Sequence, residues 1–267
     1  MTVAVHRIAS ARRAAAALAL AAALPALAYV LPVPGILRRM GERRAALNLD
    51  ALEVRGTLAA HGPTGDRLAA AGGVRPATEV SVPARFLAKV PGRCRLEVVR
   101  DGIAEGERAF VAVRDGKLSG PLADVPAAAA AIRAACTLLA GPTAGDATPV
   151  YSAALGRRGI SLTESSSSLG RFDGRIAYVI GGREREAKPL LFVDKDGFQP
   201  LRLIAAEGPE LVDVRFLGWG SPTGGDWFPR ALEAWSRDAL ALRFSTERAS
   251  ANPKLAEALF PGGSPGR

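Results

Sequence analysis

The stretch LLFVDKDGFQPLRLIA, residues 190–205, sets Asp194, Asp196 and Gly197 between two apolar runs. Two readings compete, a cation-binding loop and a bend between strands. A calcium loop of the EF-hand type continues to a glutamate about twelve residues after its first ligand, and the position that spacing reaches from Asp194 is Ala205. The metal reading fails there. Asp tolerates left-handed backbone angles and Gly supplies positive φ, so a short Asp/Gly segment between apolar runs predicts a hairpin.

Alternation on both sides of this bend extends the argument. Val212, Val214 and Phe216 alternate with Asp213 and Arg215, and Leu240, Leu242 and Phe244 alternate with Ala241, Arg243 and Ser245. Upstream, residues 51–58, 79–90, 94–100 and 108–116 carry the same period of two, separated by Gly, Pro or Asp-Gly. One-faced strands joined by tight turns predict an antiparallel meander, and a twisted sheet this wide must curl. Helices are expected over GILRRMGERRAALNL (35–49), in an Ala-rich insertion near 124–142 that opens with Pro126 and closes with Gly141-Pro142, and weakly around 151–155. The fold class is therefore mainly β with some α: a half-open curled antiparallel barrel whose concave face helices cover.

At the N-terminus, Arg7, Arg12 and Arg13 precede AAAALALAAALPALA (14–28), which ends in the small-x-small pattern Ala26-Leu27-Ala28. Residues 1–28 read as a signal peptide cleaved before Tyr29. The rival reading is an uncleaved helical anchor, although the Ala-rich run broken by Pro25, Pro32 and Pro34 makes a poor bilayer span. Residues 29–260 then form a single domain and 261–267 a disordered tail. Two cysteines, Cys94 and Cys136, share the apolar faces of their elements; in an oxidising compartment a disulfide between them is permitted, with two buried thiols as the alternative.

The net charge is +9, but the cations are scattered, and an exported chain rarely meets nucleic acid. No zinc spacing, Walker loop or strand-borne GxGxxG opening a helix is present, and His61 stands among turn residues with no nucleophile motif beside it. No metal, cofactor or catalytic constellation is expected, and a binding role leads. A hydrolase built from His61 and the serines at 165–168 is the weakest alternative.

The order RFDGRIAYVIGG, LLFVDKDGFQPLRL, VDVRFLGW, DWFPRALEA and LRFSTERASANPKLAEALF, roughly residues 171–260, resembles the LolA-like outer-membrane lipoprotein-sorting proteins. Asn252, Pro253, Leu259 and Phe260 are its most telling local pattern. The resemblance implies a half-barrel with a helical lid whose apolar cavity shields the acyl chains of lipoproteins, or another lipid, crossing the periplasm of a Gram-negative bacterium. Inner- and outer-membrane sorting proteins would be its partners, in outer-membrane biogenesis. A periplasmic regulator or sensor of the same fold is the alternative. Large apolar residues expected to line the cavity are Phe86, Leu96, Phe192, Val214 and Phe216, together with Trp219, Trp227, Leu242 and Phe244.

Overall fold

The strand pattern folds as one sheet. A computed structural model describes residues 30–141, 147–163, 166–186, 188–208 and 210–261; the expected signal segment and residues 262–267 of the expected tail lie outside the described residues. Before the helical segment come β1 (Ala51–His61), β2 (Glu79–Lys89), β3 (Arg93–Val98), β4 (Phe110–Arg114) and β5 (Lys117–Ser119). After it come β6 (Ser167–Phe172), β7 (Arg175–Ile180), β8 (Leu190–Asp194), β9 (Pro200–Glu207), β10 (Glu210–Leu217), β11 (Ala231–Ser236) and β12 (Ala239–Ala251). Among the described residues these twelve strands lie in the order β5-β4-β3-β2-β1-β12-β11-β10-β9-β8-β7-β6, every pairing antiparallel. The chain starts in mid-sheet, runs out to one edge, crosses to the other edge, and returns until β12 pairs with β1.

Residues 190–205 form the expected hairpin of β8 and β9, with one difference. Asp194 Oδ1 accepts the backbone N–H groups of Asp196, at 3.1 Å, and of Gly197. The left-handed residue is Phe198, at φ +52°, rather than Gly197. A non-glycine residue there costs on the order of 1 kcal/mol or more; stacking of Phe198 on Tyr178, with ring centroids 6.0 Å apart, offsets it.

Four helices accompany the strands among the described residues: α1 (Val33–Ala45), α2 (Gly62–Gly72), α3 (Pro126–Leu139) and α4 (Thr148–Gly156). The sequence reading has no counterpart to α2; GPTGD, read as turn residues, instead opens a helix with Pro63 in its first turn and Gly73 as its left-handed cap. The Ala-rich segment is the crossover between the two sheet edges rather than an excursion from one strand pair. Helix α3 packs against β3, β4, β9, β10, β11 and β12, and Ala127 to Ala131, Ala134 and Ala135 are all buried. Only Pro126, Arg133 and Thr137 of this helix reach solvent, and alanine lets its backbone lie close to the sheet. Contact between α1 and the start of α4 is tighter still: a Cβ at Gly41 would overlap that of Ala147.

Cys94 and Cys136 are joined, their Cα atoms 5.6 Å apart. The bond fastens α3 to β3 on the concave side, where Cys94 pairs with Val113 across the ladder. It closes a loop with a sequence separation of 42, which the chain-entropy relation values at about 4 kcal/mol.

On the opposite face the C-terminal segment covers β2 to β5. Asn252, at φ +52°, turns the chain out of β12, and its Oδ1 accepts the N–H groups of Asp50 and Ala51 at 2.8 and 3.2 Å. Leu255, Leu259 and Phe260 then pack on Leu87. On the same face Glu97 is fully buried, bonded to Arg85 and Arg95 at 2.6 Å each and to Arg108 at 2.9 Å, and Arg95 also donates to the Leu259 carbonyl at 3.1 Å. Burial alone would raise the Glu97 pKa, but its three guanidinium partners hold it below the ordinary value.

Two outcomes test this arrangement. Replacing both cysteines by serine lowers the unfolding free energy by about 2–4 kcal/mol in denaturant titration, matching the loss on reduction of the native chain. Because the Glu97 pKa is depressed on folding, its stabilisation is complete above the unfolded value near 4.5 and is lost as pH falls through the lower folded value. The gap in urea midpoint between the native chain and Glu97→Gln therefore narrows as the pH falls from about 6 through and below the unfolded value.

Candidate functional site

Directly paired residues on neighbouring strands share a face of the sheet. Phe216 on β10 pairs with Leu232, Leu232 with Phe244, Phe244 with Leu58 and Leu58 with Val82. A second row joins Val54, Phe86, Leu96 and Val111, and a third joins Val214, Ala234 and Leu242. Phe86, Leu96, Val214, Phe216, Leu242 and Phe244 thus share the concave face, and none is more than 2 % exposed.

A hollow wide enough for a hydrocarbon chain would leave its walls accessible, and these walls are sealed. What fills the space is α3 together with Phe228, from the segment between β10 and β11. The Phe228 ring lies 5.0 Å from that of Phe86 and 6.0 Å, edge-on, from that of Phe244.

The other three expected lining residues stand elsewhere. Phe192 pairs with Arg202, which shares the outer face with Asp213 and Arg215; its ring meets Phe172 at 6.1 Å under the Arg202 guanidinium. All five residues of β8 are buried, so burial pattern there does not reveal which side faces in. Trp219 follows the end of β10, with its indole N–H donating to the Pro200 carbonyl at 2.8 Å. Trp227 is half-buried on the segment before β11, where its carbonyl accepts a hydrogen bond from Arg44 at 3.1 Å.

Arg44 is a buried staple. Its Nη2 donates to the Leu139 carbonyl at the C-terminal end of α3, so it joins α1 to α3 and to the segment before β11. Burial draws its pKa down to about 10, Arg43 adds to the lowering, and Tyr151 and Asp226 oppose it. Arg43 beside it pairs with Asp226.

Open space lies where α3 and α4 meet the β4–β5 edge. A cleft of about 370 Å³ is bounded by Val113, Cys136, Val150, Tyr151 and Ala154, with the β2–β3 turn at one end. Val150 is exposed at its wall, and Tyr151 is fully buried. Among the described residues the Tyr151 hydroxyl has no hydrogen-bond partner, and burial pushes its pKa up to about 12 against the opposing charge of Arg44. A recess of about 240 Å³ shares Val113, Thr137 and Ala154 with the cleft and adds Arg133, Arg158 and Glu207. Arg133 Nη1 lies 3.4 Å from Glu207 Oε2. Burial lowers the Arg158 pKa to about 10; Glu207 opposes the shift, and Arg133 and Arg157 add to it.

These residues escape the sequence reading, though signals exist. Arg133 is the one charged residue of PAAAAAIRAACTLL, and Arg157-Arg158 directly follows α4. The serine run carries structural bonds instead: Ser166, Ser167 and Ser168 donate to the carbonyls of Ser161, Leu31 and Gly182, while Ser165 lies outside the described residues. No cluster of three metal-ligating side chains occurs among the described residues.

The described residues form a curled antiparallel half-sheet, filled by a crossover helix and opening beside that helix into a partly apolar cleft. The sequence matches no family model, and no curated protein matches it significantly. Among solved structures, the chain is similar to a LolA superfamily protein from Nitrosomonas europaea at 13% identity and TM-score 0.44, covering 87% of this chain and 98% of that one. A domain assigned to outer membrane lipoprotein sorting from Vibrio parahaemolyticus aligns at 9% identity and TM-score 0.40, over 83% and 97% of the two chains. MucB in complex with MucA(peri) aligns at 16% identity and TM-score 0.29, over 86% of this chain and 59% of that one. These neighbours include the group that residues 171–260 resemble; the architecture itself stands on the strand order and register.

Phe228→Ala costs about 3–5 kcal/mol in denaturant titration if the concave face is packed as described. A loss below about 1 kcal/mol would mean that Phe228 fills nothing.

Proposed function

We propose that this chain is an exported, non-catalytic binding protein that carries a lipidic ligand, with a lipoprotein acyl chain as the leading cargo, between the membranes of a Gram-negative envelope. The cleft between the β4–β5 edge and helices α3 and α4 carries the reading. Its walls are mostly apolar, Val150 stands exposed there, and its volume of about 370 Å³ sits toward the small end of the range of about 300–1,000 Å³ usual for ligand sites. One hydrocarbon chain suits it better than several.

The energetics fit a carrier rather than a store. Each methylene withdrawn from water contributes about 0.8 kcal/mol, so a chain of about 16 carbons gains roughly 12 kcal/mol against water and almost nothing against a bilayer. Loading and release then depend on access to the cleft and on the sorting proteins at either membrane. Residues 1–28 as an export signal, residues 29–260 as one domain, and a disulfide suited to an oxidising compartment support a periplasmic location.

The test is mass spectrometry of chain recovered from the periplasm of an expressing Gram-negative host. Near-stoichiometric lipid is expected, falling to a small fraction when Val150→Asp places a charge in the cleft wall. Chain that is lipid-free and also fails to bind a fluorescent fatty acid would overturn the proposal.

A further inference from the structure

The recess beside the cleft holds three guanidinium groups, Arg133, Arg157 and Arg158, against one carboxylate, Glu207. Arg133 is engaged with Glu207 at 3.4 Å. The Arg157 and Arg158 guanidinium groups make no hydrogen bond or close ion pair with any described residue, although Arg158 is half-buried and feels the charge of Glu207. Half-burying an unpaired cation is costly unless an anion joins it. The carboxylate nearest the apolar side, Asp115, borders the cleft but not the recess and lies 4.0 Å from Arg114.

The recess is not a separate site. Val113, Gly116, Thr137, Ala154 and Arg157 border both spaces, so a molecule with its chain in the cleft brings its polar end to the arginines. Tyr151 adds an independent pointer, because it borders the same cleft and its buried hydroxyl has no hydrogen-bond partner among the described residues. A buried donor left unsatisfied costs about 1–3 kcal/mol, and an ester carbonyl between head and chain would relieve it.

We propose that the recess formed by Arg133, Arg157 and Arg158 binds the phosphate-bearing anionic headgroup of a single-chain lipid whose hydrocarbon lies in the cleft. This inference rests on the cleft reading above and turns its ligand from a lipoprotein acyl chain to an anionic lysophospholipid. Guanidinium groups bond phosphate oxygens with charge-assisted hydrogen bonds, so an anionic head is favoured over a zwitterionic head on the same chain.

Calorimetric titration of the whole chain with lysophosphatidylglycerol and with lysophosphatidylcholine of equal chain length, below their micelle concentrations, tests this. Binding of the anionic lipid about tenfold tighter or more is expected, with the preference shrinking as salt rises. The Arg157→Ala, Arg158→Ala double variant loses the preference and keeps the weaker binding of lysophosphatidylcholine. Since Arg157 is exposed, Arg157→Glu retains the fold and by itself cuts the preference. Tyr151→Phe weakens both lipids alike. Equal affinity for the two heads overturns the headgroup assignment while leaving the cleft intact, and inorganic phosphate competing as strongly as the lipid overturns it in favour of a free-anion site. Failure of both lipids to bind overturns the cleft reading itself.

Discussion

Everything in this molecule depends on how α3 lies in the trough of the sheet. A curled sheet with one apolar face must cover that face, and the chain does so with the segment that links the sheet's two edges. Alanine is the means: Ala127 to Ala131, Ala134 and Ala135 put little volume between helix backbone and strands, so Phe86, Phe216, Phe228 and Phe244 close the remaining gaps. The Cys94–Cys136 bond fixes this helix covalently to β3, and Arg44 holds its far end through the Leu139 carbonyl. The interior is therefore a core, and the open space lies at the flank of the helix, where α4 and the β4–β5 edge leave a cleft.

The outer face solves a different problem. Glu97 is fully buried on this face, where an isolated carboxylate would be prohibitive, and Arg85, Arg95 and Arg108 make it tolerable. The Arg95 guanidinium also lies 3.7 Å from the centroid of the Phe110 ring. Further along the sheet Arg202 and Arg215 pair with Asp213 at 2.8 Å, and Arg215 caps the Trp235 ring at 4.1 Å. Many arginines are tied into such pairs, whereas the Arg157 and Arg158 guanidinium groups of the recess have no close ion pair among the described residues.

The meander, its inward parity at Val214, Phe216, Leu242 and Phe244, and the turn at Asp194 were legible because a period of two and turn chemistry are local. Asn252, Leu259 and Phe260 also stood out, and they form the corner and clasp of the C-terminal segment. Other features were not legible because they depend on distant partners. Phe192 sits in a strand buried on both faces, so only the register with Arg202 reveals its side. A ring stack with Tyr178 lets Phe198, not Gly197, take the left-handed angle. The Ala-rich segment reads as an insertion until the sheet order makes it the crossover. Arg133, Arg157, Arg158 and Glu207 come from three separate parts of the chain, and no spacing rule connects them.

The pairing of β1 with β12 joins residues as far apart as Leu52 and Ala251. Strands β1 to β5 can assemble as they emerge, but the middle of the sheet has no partner until the last strand arrives. Non-local strand pairing of this kind slows folding and leaves apolar edges uncovered meanwhile. A chain with this topology completes its sheet only after the final strand has been delivered, so losing β12 would leave two separate half-sheets with no strand to join them.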